Sequence, residues 1–196
     1  MLKKIDSTNL YKLIIRKLLS LILFCFRSRT AQNLIMWPIA KRFLGLTYSE
    51  VVTFYNGLKI RVWLSYLDMH NRILLFYSNR VSLAWEPQTA RLFVRLLEKA
   101  EKIVIAGANI GYYVIIAANK KNTKVISFEP VDEIRTHCLQ NLRLNNLKAT
   151  IEKEALARKI GVAELFVNSG DSTLLHSEGH VGGVDLYQLY HLMITV

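Results

Sequence analysis

The chain has 196 residues, 52% of them apolar, and a formal net charge of +11. That length suits one domain with an appendage, and so large an apolar share excludes a chain dominated by disorder. Three prolines and nine glycines leave no linker, and no repeat or low-complexity stretch is present.

The charge is uneven. Met1 to Ser49 holds nine Lys or Arg against Asp6 alone, a net of +8. Within it Leu18 to Phe26 is an uncharged run of nine residues between Arg16-Lys17 and Arg27-Arg29. A bilayer-spanning helix needs about twenty apolar residues, and no small-x-small cleavage site follows the run directly. Residues 1–49 therefore read as a basic amphipathic helical segment. It either lies on an anionic membrane surface with Lys and Arg snorkelling, or packs as a basic helix on the rest of the protein. Nucleic acid is a poor partner for it, because the basic residues alternate with Leu, Ile and Phe and no helix-turn-helix, zinc-ligand or RNP-type pattern occurs. Cys25 and Cys138 lie in different elements with no Cys-x-x-Cys, as in a reduced cytoplasmic setting, whether free or peripheral to the membrane.

From Glu50 the texture turns to strands, and residues 50–196 read as a second unit. Val51 to Tyr55, then Asn56-Gly57, then Leu58 to Leu64 predict a hairpin, because a type I′ turn needs positive φ at both central positions and Asn-Gly supplies it. Leu58, Ile60, Val62 and Leu64 alternate with Lys59, Arg61 and Trp63, so one face is buried. Tyr66 to Arg80 has no clear period; Ile73 to Tyr77 reads as a short strand or a helical turn. Pro87 at a first helical position, with Glu86 beside it, starts a helix. Leu92, Phe93, Leu96 and Leu97 are expected to form its core face.

Ile103 to Pro130 is the stretch that carries chemistry. An apolar run (Ile103 to Ala106), Gly107 and Gly111 around Ala108, Asn109 and Ile110, and a helical stretch (Tyr112 to Asn119) are followed by a polar turn. A second apolar run, Val125 to Phe128, then ends in Glu129 and Pro130. Glycines at the carboxyl edge of a parallel strand let a ligand approach the backbone. The following helix offers unpaired amides and a positive dipole end. Glu129, at the end of the adjacent strand, can accept two hydrogen bonds from a ribose diol. The dinucleotide pattern G-x-G-x-x-G would need glycine at 109 and 112, where this chain has Asn109 and Tyr112, and no Gly-Lys pair follows the turn. NAD, FAD, ATP and GTP are thereby disfavoured. The bland alternative is a generic strand-to-helix connection.

Beyond it, a helix from about Val131 or Asp132 to Asn145 or Asn146 is expected, then strands at Ala149 to Glu152 and Val162 to Val167. Ser169 to Thr173 reads as a polar turn. His70, His137, His176, His180 and His191 show no metal-ligand spacing, so no metal is assigned. No Gly-x-Ser-x-Gly elbow supports hydrolase chemistry.

The sequence Gly107-Ala108-Asn109-Ile110-Gly111-Tyr112-Tyr113 resembles the D-V-G-A-N-I-G-Y-Y turn of the FkbM-like family of S-adenosylmethionine-dependent methyltransferases. Trp85-Glu86-Pro87 upstream, and Phe128-Glu129-Pro130 with Leu139, Asn141, Leu144 and Asn145 downstream, extend the likeness over roughly Val51 to Leu175. The resemblance implies an α/β fold with a Rossmann-like class I methyltransferase sheet, incomplete at the C-terminus and preceded by the hairpin and helix. It implies S-adenosyl-L-methionine as cofactor and O-methylation of a small-molecule or glycan acceptor. Gly107, Ala108, Asn109, Gly111 and Glu129 would bind the cofactor. Glu86 would shape the pocket or simply start its helix. Glu154 would lie near the adenine or be a solvated residue between Lys-rich turns. The Ser169 to Thr173 turn would border the pocket. Two departures stand out: Ile105 replaces the family's usual acidic residue, and the later strand reading I-K-I-D-x-E-G is absent, so only about three of seven strands are expected. A truncated member that catalyses nothing and a peripheral membrane module are the rival readings. No catalytic base is identified.

Overall fold

The computed structural model describes residues 7–25, 37–45, 48–63, 69–78, 82–156, 164–168, 171–175 and 192–195. Their elements are α1 (Ser7–Cys25), α2 (Trp37–Leu44), β1 (Ser49–Tyr55), β2 (Leu58–Trp63), α3 (Met69–Tyr77), α4 (Pro87–Leu97), β3 (Lys102–Ala106) and α5 (Tyr112–Ala118). Then come β4 (Lys124–Phe128), α6 (Asp132–Leu144), β5 (Thr150–Glu152), β6 (Glu164–Asn168), β7 (Asp171–Leu175) and β8 (Leu192–Thr195).

The central sheet has the order β5-β4-β3-β8. Strands β3, β4 and β5 run parallel, with Ile105 opposite Ser127 and Phe128 opposite Glu152. This is the mixed α/β, parallel-stranded arrangement that alternating strand and helix signals predict. On the far side of β3 lies β8, antiparallel, with Lys102 opposite Thr195 and Ile105 opposite Leu192. That strand is a correction to the expected three-stranded remnant: β3 is not left open. Ile103 and Ile105 are buried in the core, and the Ser127 hydroxyl donates to the Ile105 carbonyl at 3.0 Å.

The hairpin forms as expected. Strands β1 and β2 pair antiparallel from Ser49–Trp63 inward, and Asn56 and Gly57 take φ of 42° and 80°. Val52, Phe54, Ile60 and Val62 are buried; Leu64 lies outside the described residues. The outward N–H groups of β2 are all accepted by asparagine side chains: Lys59 by Asn145 at 2.7 Å, Arg61 by Asn141 at 2.7 Å and Trp63 by Asn71 at 3.0 Å. Asn141 lies on α6, Asn145 one turn later at its C-cap, and Asn71 on α3.

Of the two readings of Ile73 to Tyr77 the helical one holds, as the last part of α3. Two expectations need correcting. On α4, Leu92 and Leu96 are 57% and 44% exposed, and the buried row is Ala90, Phe93 and Leu97. Two apolar rows lie side by side on that helix, and the core takes only one of them, with Phe93 against Tyr113 of α5. Asp171, Ser172 and Thr173 belong to β7, paired antiparallel with β6, rather than to a polar turn; Ser169 and Gly170 lie outside the described residues.

Helix α1 packs on α2 and α3. Arg16 on α1 donates to the Leu75 carbonyl at 3.0 Å and pairs with Glu50 of β1 at 2.9 Å. The Tyr48 hydroxyl donates to the same Glu50 oxygen. Among the described residues no helix is long and apolar enough to cross a membrane.

Candidate functional site

Strands β3 and β4 end side by side, so the turn after each meets at one edge of the sheet. The β3 turn spans Gly107 to Gly111, and three of its residues need the left-handed region: Gly107 (φ 77°), Asn109 (φ 47°) and Gly111 (φ 98°). Glycine adopts it without steric cost, and asparagine is among the few other residues that tolerate it. At Gly111 a side chain is opposed for a second reason: a Cβ there would lie 3.0 Å from Cys138 Sγ on α6, which would have to give way.

Every N–H of this turn is already donated within the protein. Those of Gly107 and Ala108 go to the Phe128 carbonyl at 3.0 and 2.9 Å. Asn109 donates to Glu129 Oε2 at 2.8 Å, Ile110 to the Asn109 side-chain oxygen at 2.6 Å, and Gly111 to the Ala108 carbonyl at 2.9 Å. The first turn of α5 is buried as well, through Tyr112, Tyr113 and Val114. The turn itself therefore has no main-chain donors to spare for an anion.

Glu129 is buried, and its carboxylate accepts the Asn109 N–H on Oε2 and the Val131 N–H on Oε1 at 3.1 Å. Each oxygen keeps one acceptor lone pair. Burial pushes the carboxyl above its ordinary value, opposed by the Val131 and Asn109 N–H groups and by the Arg135 charge. Its own N–H donates to the Glu152 carbonyl at 2.9 Å, which ties the ends of β4 and β5 together. Glu154 is exposed, two residues past β5, at the same edge of the sheet.

Glu86 stands at the start of its helix and reaches across to α5. It is the N-cap position of α4 and precedes Pro87, yet makes no side-chain cap; its φ of 41° puts a glutamate in the left-handed region. Its carboxylate instead accepts the Tyr113 hydroxyl at 2.9 Å. Tyr113 stands edge-on to Phe93 of α4, with ring centres 5.1 Å apart, and Tyr112 leans on Phe54 of the hairpin at 5.0 Å. The two tyrosines thus clamp α5 between the hairpin and α4. Burial, with Glu86 nearby, raises the Tyr112 phenol above its ordinary value, so it stays neutral.

One site residue was not legible as such. Asn141 on α6 is fully buried and donates to the Ile110 carbonyl at 2.9 Å, which pins the turn to the helix. Its signal was present: it lies seven residues from Ile134 and three from Cys138, both buried, so it is an uncharged polar residue on an apolar helical face. The Cys138 thiol beneath the turn is pushed up to about 12 by burial and by the Glu129 charge, which makes it inert. Among the described residues no His, Cys, Asp or Glu grouping could hold a metal. Cys25, His70 and the three histidines from His176 on have no described side chain.

No family model matches the chain, and neither does any curated protein. Among solved structures the chain is similar to a protein of Pyrococcus horikoshii described as a "putative transferase", at 16% identity and a TM-score of 0.41. The likeness covers 74% of this chain but only 63% of that one, and at that score it says nothing about function.

Proposed function

We propose that this chain binds S-adenosyl-L-methionine at the shared edge of β3 and β4 and transfers its methyl group to a hydroxyl of a small-molecule or glycan acceptor. The observation that carries the reading is the saturation of the turn. All N–H groups from Gly107 to Gly111 are used internally, while the Glu129 oxygens keep acceptor capacity. A phosphate needs main-chain donors. A cationic nucleoside with a free ribose diol needs acceptors, and this edge supplies them. The residues fit that ligand.

When bound, the cofactor supplies an electrophilic methyl group. The chain's own part is placement, which can account for most of the rate in such a transfer. Glu129 receives the diol, and the left-handed turn at Asn109 lets the nucleoside approach the backbone. Glu86, held by Tyr113, borders the start of α5, and Glu154 offers a further acceptor along the edge. Retention of the scaffold without catalysis is the second reading, and Ile105 favours it: a buried isoleucine in place of the acid cannot receive an ammonium group.

Calorimetry with S-adenosylmethionine, S-adenosylhomocysteine and ATP tests the proposal. Binding of the first two that Glu129→Ala weakens by about 1–3 kcal/mol, the usual cost of a lost hydrogen bond to a charged group, supports it. Tighter binding of ATP, or none of any ligand by a folded chain, overturns it.

A further inference from the structure

Helix α1 is oriented contrary to its composition. Its buried side chains include Arg16 and Ser20 with Leu19, whereas Leu10, Tyr11, Ile14, Leu18, Leu21 and Ile22 are between 41% and 52% exposed. At 3.6 residues per turn these six project within about a third of the helix circumference, opposite the buried side. They form one continuous apolar stripe rather than scattered exceptions. The orientation is enforced: Arg16 is tied to the Leu75 carbonyl and to Glu50, so the helix cannot roll its stripe inward without breaking a partly buried ion pair. The neighbouring α2 adds Ile39 and Phe43, 37% and 47% exposed and one turn apart.

Charge says what covers this face. Neither α1 nor α2 contains an acidic residue, and the first 49 residues carry a net of +8. Lys17 is exposed at the margin of the stripe, Arg42 is exposed on α2, and Lys12 and Lys41 are partly exposed. Pairing with a second copy would set two such segments against each other, which like charge opposes. Neither helix is long and apolar enough to cross a bilayer.

We propose that the outward face of α1, continued by Ile39 and Phe43 of α2, docks on an anionic lipid surface. The stripe enters the boundary between headgroups and acyl chains, and the flanking Lys and Arg meet the lipid phosphates. The bilayer lies against the side of the molecule that carries α1, held there by Arg16.

The test is sedimentation of the full chain with vesicles of phosphatidylcholine alone and of phosphatidylcholine mixed with phosphatidylglycerol. Partition to the anionic vesicles, weakened by salt, is expected. Ile14→Glu, Leu18→Glu and Leu21→Glu together should lower it by more than about tenfold with an unchanged circular dichroism spectrum. Leu92→Glu with Leu96→Glu, equally exposed on α4, should leave it intact. In the otherwise native chain, Tyr11→Trp should show fluorescence quenched by brominated acyl chains in anionic vesicles only. Equal binding by the triple variant and the native chain, no quenching, or a dimer that the triple variant dissolves without any lipid partition would each overturn the proposal.

Discussion

Asn141 holds Ile110. The carboxamide on α6 donates to that turn carbonyl at 2.9 Å and to the Arg61 carbonyl at 3.2 Å, while accepting the Arg61 N–H at 2.7 Å. One side chain therefore ties the glycine turn, α6 and the hairpin into a single unit. Replacing Asn141 with alanine removes three bonds and leaves the Ile110 and Arg61 carbonyls and the Arg61 N–H without that partner, each worth about 1–3 kcal/mol where buried. We expect a loss of about 3 kcal/mol or more by urea denaturation, with weaker ligand binding among molecules that remain folded. Asn141→Asp, which retains the acceptor but not the donors and buries a charge, should do no better. A loss below about 1 kcal/mol for both variants would show that the turn stands without α6.

Gly111→Ala should be costly for two separable reasons. Its φ of 98° strains any side chain, and the new Cβ would sit 3.0 Å from Cys138 Sγ. Combined, a cost of about 2–3 kcal/mol is expected. Adding Cys138→Ala makes room for the methyl group but cannot relieve the backbone. The double variant should then lose less than the sum of the single effects while staying below native stability, and a double-mutant cycle measures the coupling.

The Cys138 thiol, buried and pushed up to about 12, should resist thiol reagents in the folded chain. With Cys25 replaced by serine, a colorimetric thiol assay should read essentially no reaction in native buffer and one equivalent in denaturant. Rapid native labelling would mean that α6 separates from the turn on the assay's timescale.

Glu129 sets two opposite pH trends. Its carboxyl is raised above the ordinary 4.5 by burial, so the folded state binds its proton more tightly than the unfolded chain does. By linkage, its own contribution to stability improves as pH falls from the raised value toward 4.5, because ionisation in the fold is what costs free energy. On the proposed reading cofactor affinity runs the other way, since a protonated carboxyl would lose acceptor capacity toward the diol. Binding of S-adenosylhomocysteine should therefore start to weaken at a higher pH than an ordinary carboxylate would give, before the protein unfolds. Calorimetry across the weakly acidic range reads it directly; a flat affinity down to pH 4.5 would separate Glu129 from the ligand.

The elements around the turn were legible because local chemistry alone dictates them. Asn56-Gly57 admits few structures but a tight hairpin, and Gly107 to Glu129 switches from strand to helix to strand within a window where periodicity is clear. What depends on orientation was not legible. Leu92 and Leu96 share the spacing of Phe93 and Leu97, and only the position of α5 says which row is covered. Helix α1 reads as amphipathic from either side, and the buried partners of Arg16, Leu75 and Glu50, stand far from it in sequence. The pairing of β8 with β3 spans most of the chain's second half, a separation at which no local pattern speaks. In the site itself, Glu129 was expected to wait for a ligand, yet it also binds Asn109 and Val131, a double duty visible only in three dimensions.

The asparagine row along β2 has a consequence for how this protein can meet others. A strand whose outward N–H groups are free invites another chain to add itself, the route to runaway polymerisation. Here Asn145, Asn141 and Asn71 occupy those donors at Lys59, Arg61 and Trp63. Asn141 and Asn145 also donate back to the carbonyls of Arg61 and Lys59. The hairpin is closed to strand addition on that side, so any association there must use side chains, and losing one asparagine would open a seam for aggregation.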